Sequence, residues 1–167
     1  MILRAELMAN IETSNKIDDE LLLERVKKHN NSVDDQHNRI KKLLECKSDL
    51  ELEVSEDTLQ KYLSYLQENI DMPCHLTGVE DFPWEERYVF GYGDPKEYER
   101  LKKKQPSYTD IFNLIDYEVD GKYIYAKVKR LSDKKKFDLP LDDLKAVDEN
   151  TKNYSILHDY SVWRVNY

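Results

Sequence analysis

The chain has 167 residues, 36% of them charged, a formal net charge of −8 and only four glycines. Such an acidic surface is poorly suited to non-specific binding of nucleic acid, which is dominated by attraction to phosphates, so cations or basic partners are expected instead. No apolar run approaches the roughly 20 residues of a membrane span, and Met1-Ile2-Leu3-Arg4-Ala5-Glu6 is too short and too soon charged for a signal peptide, so the expectation is a cytoplasmic protein without a membrane partner.

Apolar residues recur at helical spacing through residue 54: Ile2, Leu3, Leu7 and Ile11, then Leu22, Leu23 and Val26, then Ile40, Leu43 and Leu44. Ser32 is a predicted N-cap ahead of Asp34 and Asp35, whose charges suit a helix N-terminus. Residues 1–54 therefore read as a helical extension, the natural place for a protein partner or for homodimerisation. Cys46 and Cys74 form no C-x-x-C and have no histidine at ligand spacing apart from the adjacent His75, so reduced structural thiols are expected rather than zinc.

Ser55 opens the best-marked helix, with Leu59, Tyr62, Leu63, Leu66 and Ile70 on one stripe until Met72-Pro73 stops it. The pattern then turns to strands. Short ones are predicted at 74–78 and 87–91, flanking the acidic, aromatic segment Glu80-Asp81-Phe82-Pro83-Trp84-Glu85-Glu86. Lys96 to Lys104 is predicted to be a helical insertion ended by Pro106. An antiparallel meander follows over 111–118, 122–131 and 136–139, with its first turn centred on Asp120-Gly121 as a type I′ turn. Near the C-terminus Ile156, Tyr160, Trp163 and Tyr167 share a helical stripe, so a short helix is expected there, although 160–165 also alternates as a strand does. The predicted class is α+β: N-terminal helices, then a small antiparallel barrel or curled sheet of SH3-like type, then a short helix.

The segment Asp116-Tyr117-Glu118-Val119-Asp120-Gly121 puts three carboxylates at alternate positions before a glycine. Ca²⁺ takes six to eight oxygens, and strand residues at spacing two share a face, so these side chains can converge. It is not an EF-hand, because the twelfth position counted from Asp116 is Lys127 rather than a bidentate Glu, and no helices flank the segment. A second candidate set is Asp142 and Asp143 with Asp148, Glu149 and Asn150. A third is Glu80 and Asp81 with Glu85 and Glu86, where the acids can equally serve to keep an exposed loop in solution.

The capped helix ending at Met72-Pro73, the meander, the run Phe137-Asp138-Leu139-Pro140-Leu141-Asp142-Asp143-Leu144 and the closing Leu157-His158-Asp159-Tyr160-Ser161-Val162-Trp163-Arg164-Val165-Asn166 together resemble the small acidic bacterial calcium-binding family of the cyanobacterial CcbP type, over about residues 55–167. The resemblance implies Ca²⁺ bound by acidic surface residues in a compact β-rich domain. It gives no ligand set residue by residue, so the expected ligands are those of the local chemistry: Asp116, Glu118, Asp120, Asp142, Asp143, Asp148 and Glu149. The implied function is a calcium buffer or sensor.

A competing reading is an interaction module. One strand face carries Tyr123, Tyr125, Lys127 and Lys129, with Arg130 and Lys134-Lys135-Lys136 close in sequence, a combination able to stack bases or contact phosphates or an acidic peptide. Enzyme chemistry is not expected. His29, His37, His75 and His158 have no recognisable nucleophile partner, and the chain has no G-x-S-x-G, no H-E-x-x-H and no Gly-rich phosphate loop. His158-Asp159 reads as a turn.

Overall fold

The computed structural model describes Glu24 and residues 32–167. The chain separates into two compact units, 1–40 and 41–167. The apolar stripes at Ile2–Ile11 and Leu22–Val26, and with them most of the expected docking arm, lie outside the described residues. A helix, α1, covers 32–44, so Ser32, the predicted N-cap, is itself helical.

In the second unit, α2 (Glu56–Asn69) starts where the sequence marks it. The Ser55 side chain accepts from Thr58 N at 3.2 Å, and Thr58 Oγ1 accepts from Ser55 N at 2.9 Å. This reciprocal cap satisfies two amide donors that the first helical turn leaves without partners. Leu59, Tyr62 and Leu66 make its buried stripe.

Five strands follow: β1 (His75–Gly78), β2 (Phe112–Asp120), β3 (Tyr123–Arg130), β4 (Lys136–Pro140) and β5 (Leu144–Ala146). They pair antiparallel in the order β4-β3-β2-β1-β5. Because β4 and β5 are edges, the sheet is open: of the barrel or curled sheet expected from the sequence, the α+β curled sheet fits and a closed SH3-like barrel does not form. The β2–β3 turn is also shifted: Asp120 pairs with Tyr123, so its centre is Gly121-Lys122. Of those two only Gly121 has a positive φ (58°). A lone positive φ at the first central residue does not fit a type I′ turn, which needs two.

The C-terminal helix expected from the sequence is present, and burial excludes the strand alternative. In α5 (Lys152–Asn166), capped by the Thr151 side chain, Ile156, Leu157, Tyr160 and Trp163 are buried, while Val165 is 77% exposed. A strand would have put Val165 on the same face as Trp163. The His158-Asp159 pair is therefore helical, not a turn. Tyr62 of α2 stacks on Trp163 at 4.9 Å and meets Tyr160 edge-on at 5.1 Å. Trp163 Nε1 donates to Leu52 O at 2.7 Å, and Tyr160 Oη accepts from Ile124 N at 3.2 Å. These aromatic contacts join the helices to the buried face of β3, where Ile124, Ala126 and Val128 are fully enclosed. Cys74 is buried and free, its thiol pushed up to about 11 chiefly by burial; Cys46 is part-exposed and free.

The segment predicted as a strand at 87–91 is instead a short helix, α3 (Glu86–Val89), followed by α4 (Pro95–Lys102). Tyr88, Val89 and Phe90 favour strands, but their amides close local turns instead of joining the sheet. Tyr88 N and Val89 N donate to Glu85 O at 2.8 and 3.0 Å, and the Tyr88 ring stacks on Tyr98 of α4 at 5.1 Å.

Candidate functional site

The end of β1 lies beside a 3-10 turn, Leu141–Asp143. Gly78 pairs with Leu144, and Val79 N donates to Asp143 O at 2.9 Å. The acidic loop after β1 therefore faces the Asp142-Asp143 turn although about 60 residues separate them in the chain. Between them is a recess of about 340 Å³, lined by Glu80, Asp81 and Glu86, by Asp143 from the turn, and by Phe82, Pro83 and Phe90.

The loop is held in that position by Glu85, which is fully buried. Its carboxylate accepts from Ser107 Oγ at 2.6 Å, Tyr98 Oη at 2.8 Å, Tyr108 N at 2.8 Å and Phe82 N at 3.3 Å. Donors on three separate segments thus converge on one anion, which is how a buried carboxylate is satisfied without a counter-ion. Burial pushes the Tyr98 phenol up to about 12, with the bond to Glu85 acting in the same direction. Glu85 is therefore a structural anchor and not one of a set of solubilising surface acids. Phe82 is buried beside it.

Asp143 carries the electrostatic signature of the recess. Its carboxyl is raised above the ordinary value, first by burial and then by the charges of Asp142 and Glu80. Both effects disfavour the ionised form. Asp142 adds a buried Oδ1 with no hydrogen-bond partner. As the side chains stand, no three His, Cys, Asp or Glu residues among those described are grouped closely enough to hold a metal ion.

The other predicted residues are placed differently. Asp116, Glu118 and Asp120 are exposed along one face of β2, just beyond an irregularity between Leu114 and Asp116. Glu118 is engaged by Lys127 at 2.7 Å, and Asp116 Oδ1 accepts from Tyr117 N at 2.8 Å. Asp148 and Glu149 do not line the recess. Asp148 Oδ1 accepts from Asn150 N at 3.0 Å, and Glu149 pairs with Lys145 at 3.0 Å. Thus the second candidate set divides, and its Asp142-Asp143 half joins the third.

Tyr123, Tyr125, Lys127 and Lys129 do share the outward face of β3, between buried Ile124, Ala126, Val128 and Arg130. Arg130 faces the other way, is 3% exposed, and is not available to a partner. At the β2–β3 tip Tyr123 and Tyr125 line a second recess with Arg164, whose guanidinium lies 4.5 Å over the Tyr123 ring.

Comparison with known proteins adds one likeness. No family model matches the chain, and no curated protein matches it. A solved structure described as a calcium binding protein in the calcium-binding form is similar over 78% of this chain and 89% of that chain, at 14% identity and a TM-score of 0.49.

Proposed function

We propose that the protein binds Ca²⁺ in the recess between the β1–α3 loop and the Leu141–Asp143 turn, with Asp143, Glu80, Asp81 and Glu86 as the carboxylate ligands. The observation that carries this reading is the raised Asp143 carboxyl in a recess lined by four acids. Burial and then repulsion among the carboxylates hold the Asp143 carboxyl above its ordinary value, and a divalent cation relieves that repulsion. Binding draws the exposed side chains of Glu80 and Glu86 toward Asp143, so apo and bound states differ in side-chain placement more than in fold. Such a site serves a buffer directly. A sensor role further requires that closing the recess alter the exposed Phe90 and Val89 beside it.

Calorimetric titration of the metal-stripped protein with Ca²⁺ at about 150 mM salt tests this, since that salt screens mere counter-ion accumulation. Saturable binding that survives competing Mg²⁺ and is weakened by Glu80→Gln with Asp143→Asn is expected. Loss of binding in Asp116→Asn with Asp120→Asn instead places the ion on β2, and absence of saturable heat overturns the proposal. The partner-binding reading keeps one supporting observation: Arg164 Nε is buried without a hydrogen-bond partner beside the Tyr123–Tyr125 recess. That reading requires Tyr125→Ala to abolish capture of a partner without changing calcium affinity.

A further inference from the structure

Most of the ion-paired lysines lie away from the far end of the sheet. Lys41 pairs with Asp49, Lys61 with Asp57, Lys127 with Glu118 and Lys145 with Glu149, at 2.7–3.1 Å. One surface breaks the pattern. Lys102-Lys103-Lys104 at the end of α4 and Lys134-Lys135-Lys136 in and after the β3–β4 turn are brought together by the buried Arg130. Arg130 donates from Nη1 to Lys102 O at 2.8 Å and to Gln105 O at 2.9 Å, and from Nη2 to Lys103 O at 3.3 Å. Lys135 Nζ donates to Lys103 O across the same junction.

Arg130 also occupies the local acids, binding Asp110 at 2.8 Å and Asp133 at 2.7 Å. Apart from Lys135, which is 3.5 Å from Asp133, the clustered lysines have no ion pair among the described residues. Lys103, Lys104, Lys134 and Lys136 are exposed, and Lys129 stands opposite Lys136 in the β3–β4 pairing. Thus an acidic protein presents a localised, uncompensated basic face.

We infer that this lysine face binds the phosphate backbone of nucleic acid without reading its sequence. Three features favour that occupant. The exposed part of the face has lysines in place of the arginine forks that match carboxylates, and lysine acts on phosphate as a point charge. It offers no large exposed apolar side chain at its centre, whereas protein interfaces are depleted of lysine and enriched in aromatics there. Finally, with the whole chain at −8 and a Debye length of about 8 Å at physiological salt, a narrow polyanion can follow the patch while avoiding the acidic remainder. A flat anionic membrane cannot. The acidic total argues against binding over the whole surface, and the segregation of charge removes that objection at this one place.

The test is fluorescence anisotropy with a labelled 20-base-pair DNA duplex and the full chain across a salt series. Engaging five lysines gives a slope near −4.5 in log affinity against log salt, so affinity falls about 500-fold between 50 and 200 mM. The variant Lys103→Gln, Lys104→Gln, Lys134→Gln, Lys136→Gln should reduce the slope by about 3.6, whereas Lys41→Gln, Lys61→Gln, Lys145→Gln should leave it unchanged. Circular dichroism of both variants checks that they fold. No binding at 50 mM salt, equal losses in the two variants, or tighter binding of polyglutamate or phosphatidylserine vesicles than of DNA would each overturn the inference.

Discussion

Replacing Arg130 with Met tests a buried polar arrangement that ties α4 to the β3–β4 turn. Arg130 is 3% exposed and holds Asp110, Asp133 and three carbonyls at the end of α4. Met fills similar volume but supplies no donor. Breaking a buried ion pair from one side destabilises by about 3–5 kcal/mol. Solvent already reaches Asp133, but Asp110 is only 19% exposed, so the expected loss is at the lower end, about 3 kcal/mol. For a chain of this size that lowers Tm by about 9 °C. Urea denaturation measures the free energy directly through the midpoint at constant slope. Arg130→Lys should recover less than half, since one ammonium cannot reproduce the guanidinium fork. There is also a pH signature. Arg130 holds the Asp133 carboxyl well below its ordinary 3.8, so the stability from this pair is present above pH 3.8 and is lost as pH falls toward the depressed folded value. Arg130→Met should remove that acid-side decline. A loss under about 1 kcal/mol, or full rescue by lysine, would refute the argument that these groups depend on Arg130.

Gly78→Ala should destabilise by about 1–3 kcal/mol, read from the urea midpoint, because the added Cβ would lie 2.6 Å from Tyr108 Cβ and 2.7 Å from its Cα. Trp163→Phe removes the donor to Leu52 O and part of a fully buried ring system; a loss of about 2 kcal/mol is expected in the same assay. Asp143 works in the opposite sense to Asp133. Its folded value is raised above 3.8, so the protein loses stability as pH rises from 3.8 through that folded value. Asp143→Asn should flatten this limb in a Tm–pH profile while weakening Ca²⁺ binding about tenfold, or about 1.4 kcal/mol. Saturating the wild-type site at about 100 times its Kd should add about 2.7 kcal/mol of stability, visible as a rise in Tm.

Local sequence determined the parts that depend on short-range chemistry. The Ser55 cap, the stripe of α2, the β2–β3–β4 meander and the shared outward face of Tyr123 to Lys129 all follow from periodicities of 3.6 and 2 and from cap and turn residues, which act within a few positions. The tertiary structure decided what depends on partners distant in the chain. Tyr88-Val89 became helical as their amides turned back onto Glu85 and the Tyr88 ring packed against α4, Glu85 went inside because donors from Phe82 to Tyr108 converge on it, and the sheet stayed open because β4 and β5 do not pair. The acidic recess, too, was not legible as a unit. Glu80 and Asp143 line one recess because β1 and β5 pair, just as the Lys103 and Lys135 segments are joined by Arg130 and by the Lys135–Lys103 bond. Charge attracts and repels through space, and the sequence gives its sign at each position without the distance that sets its effect.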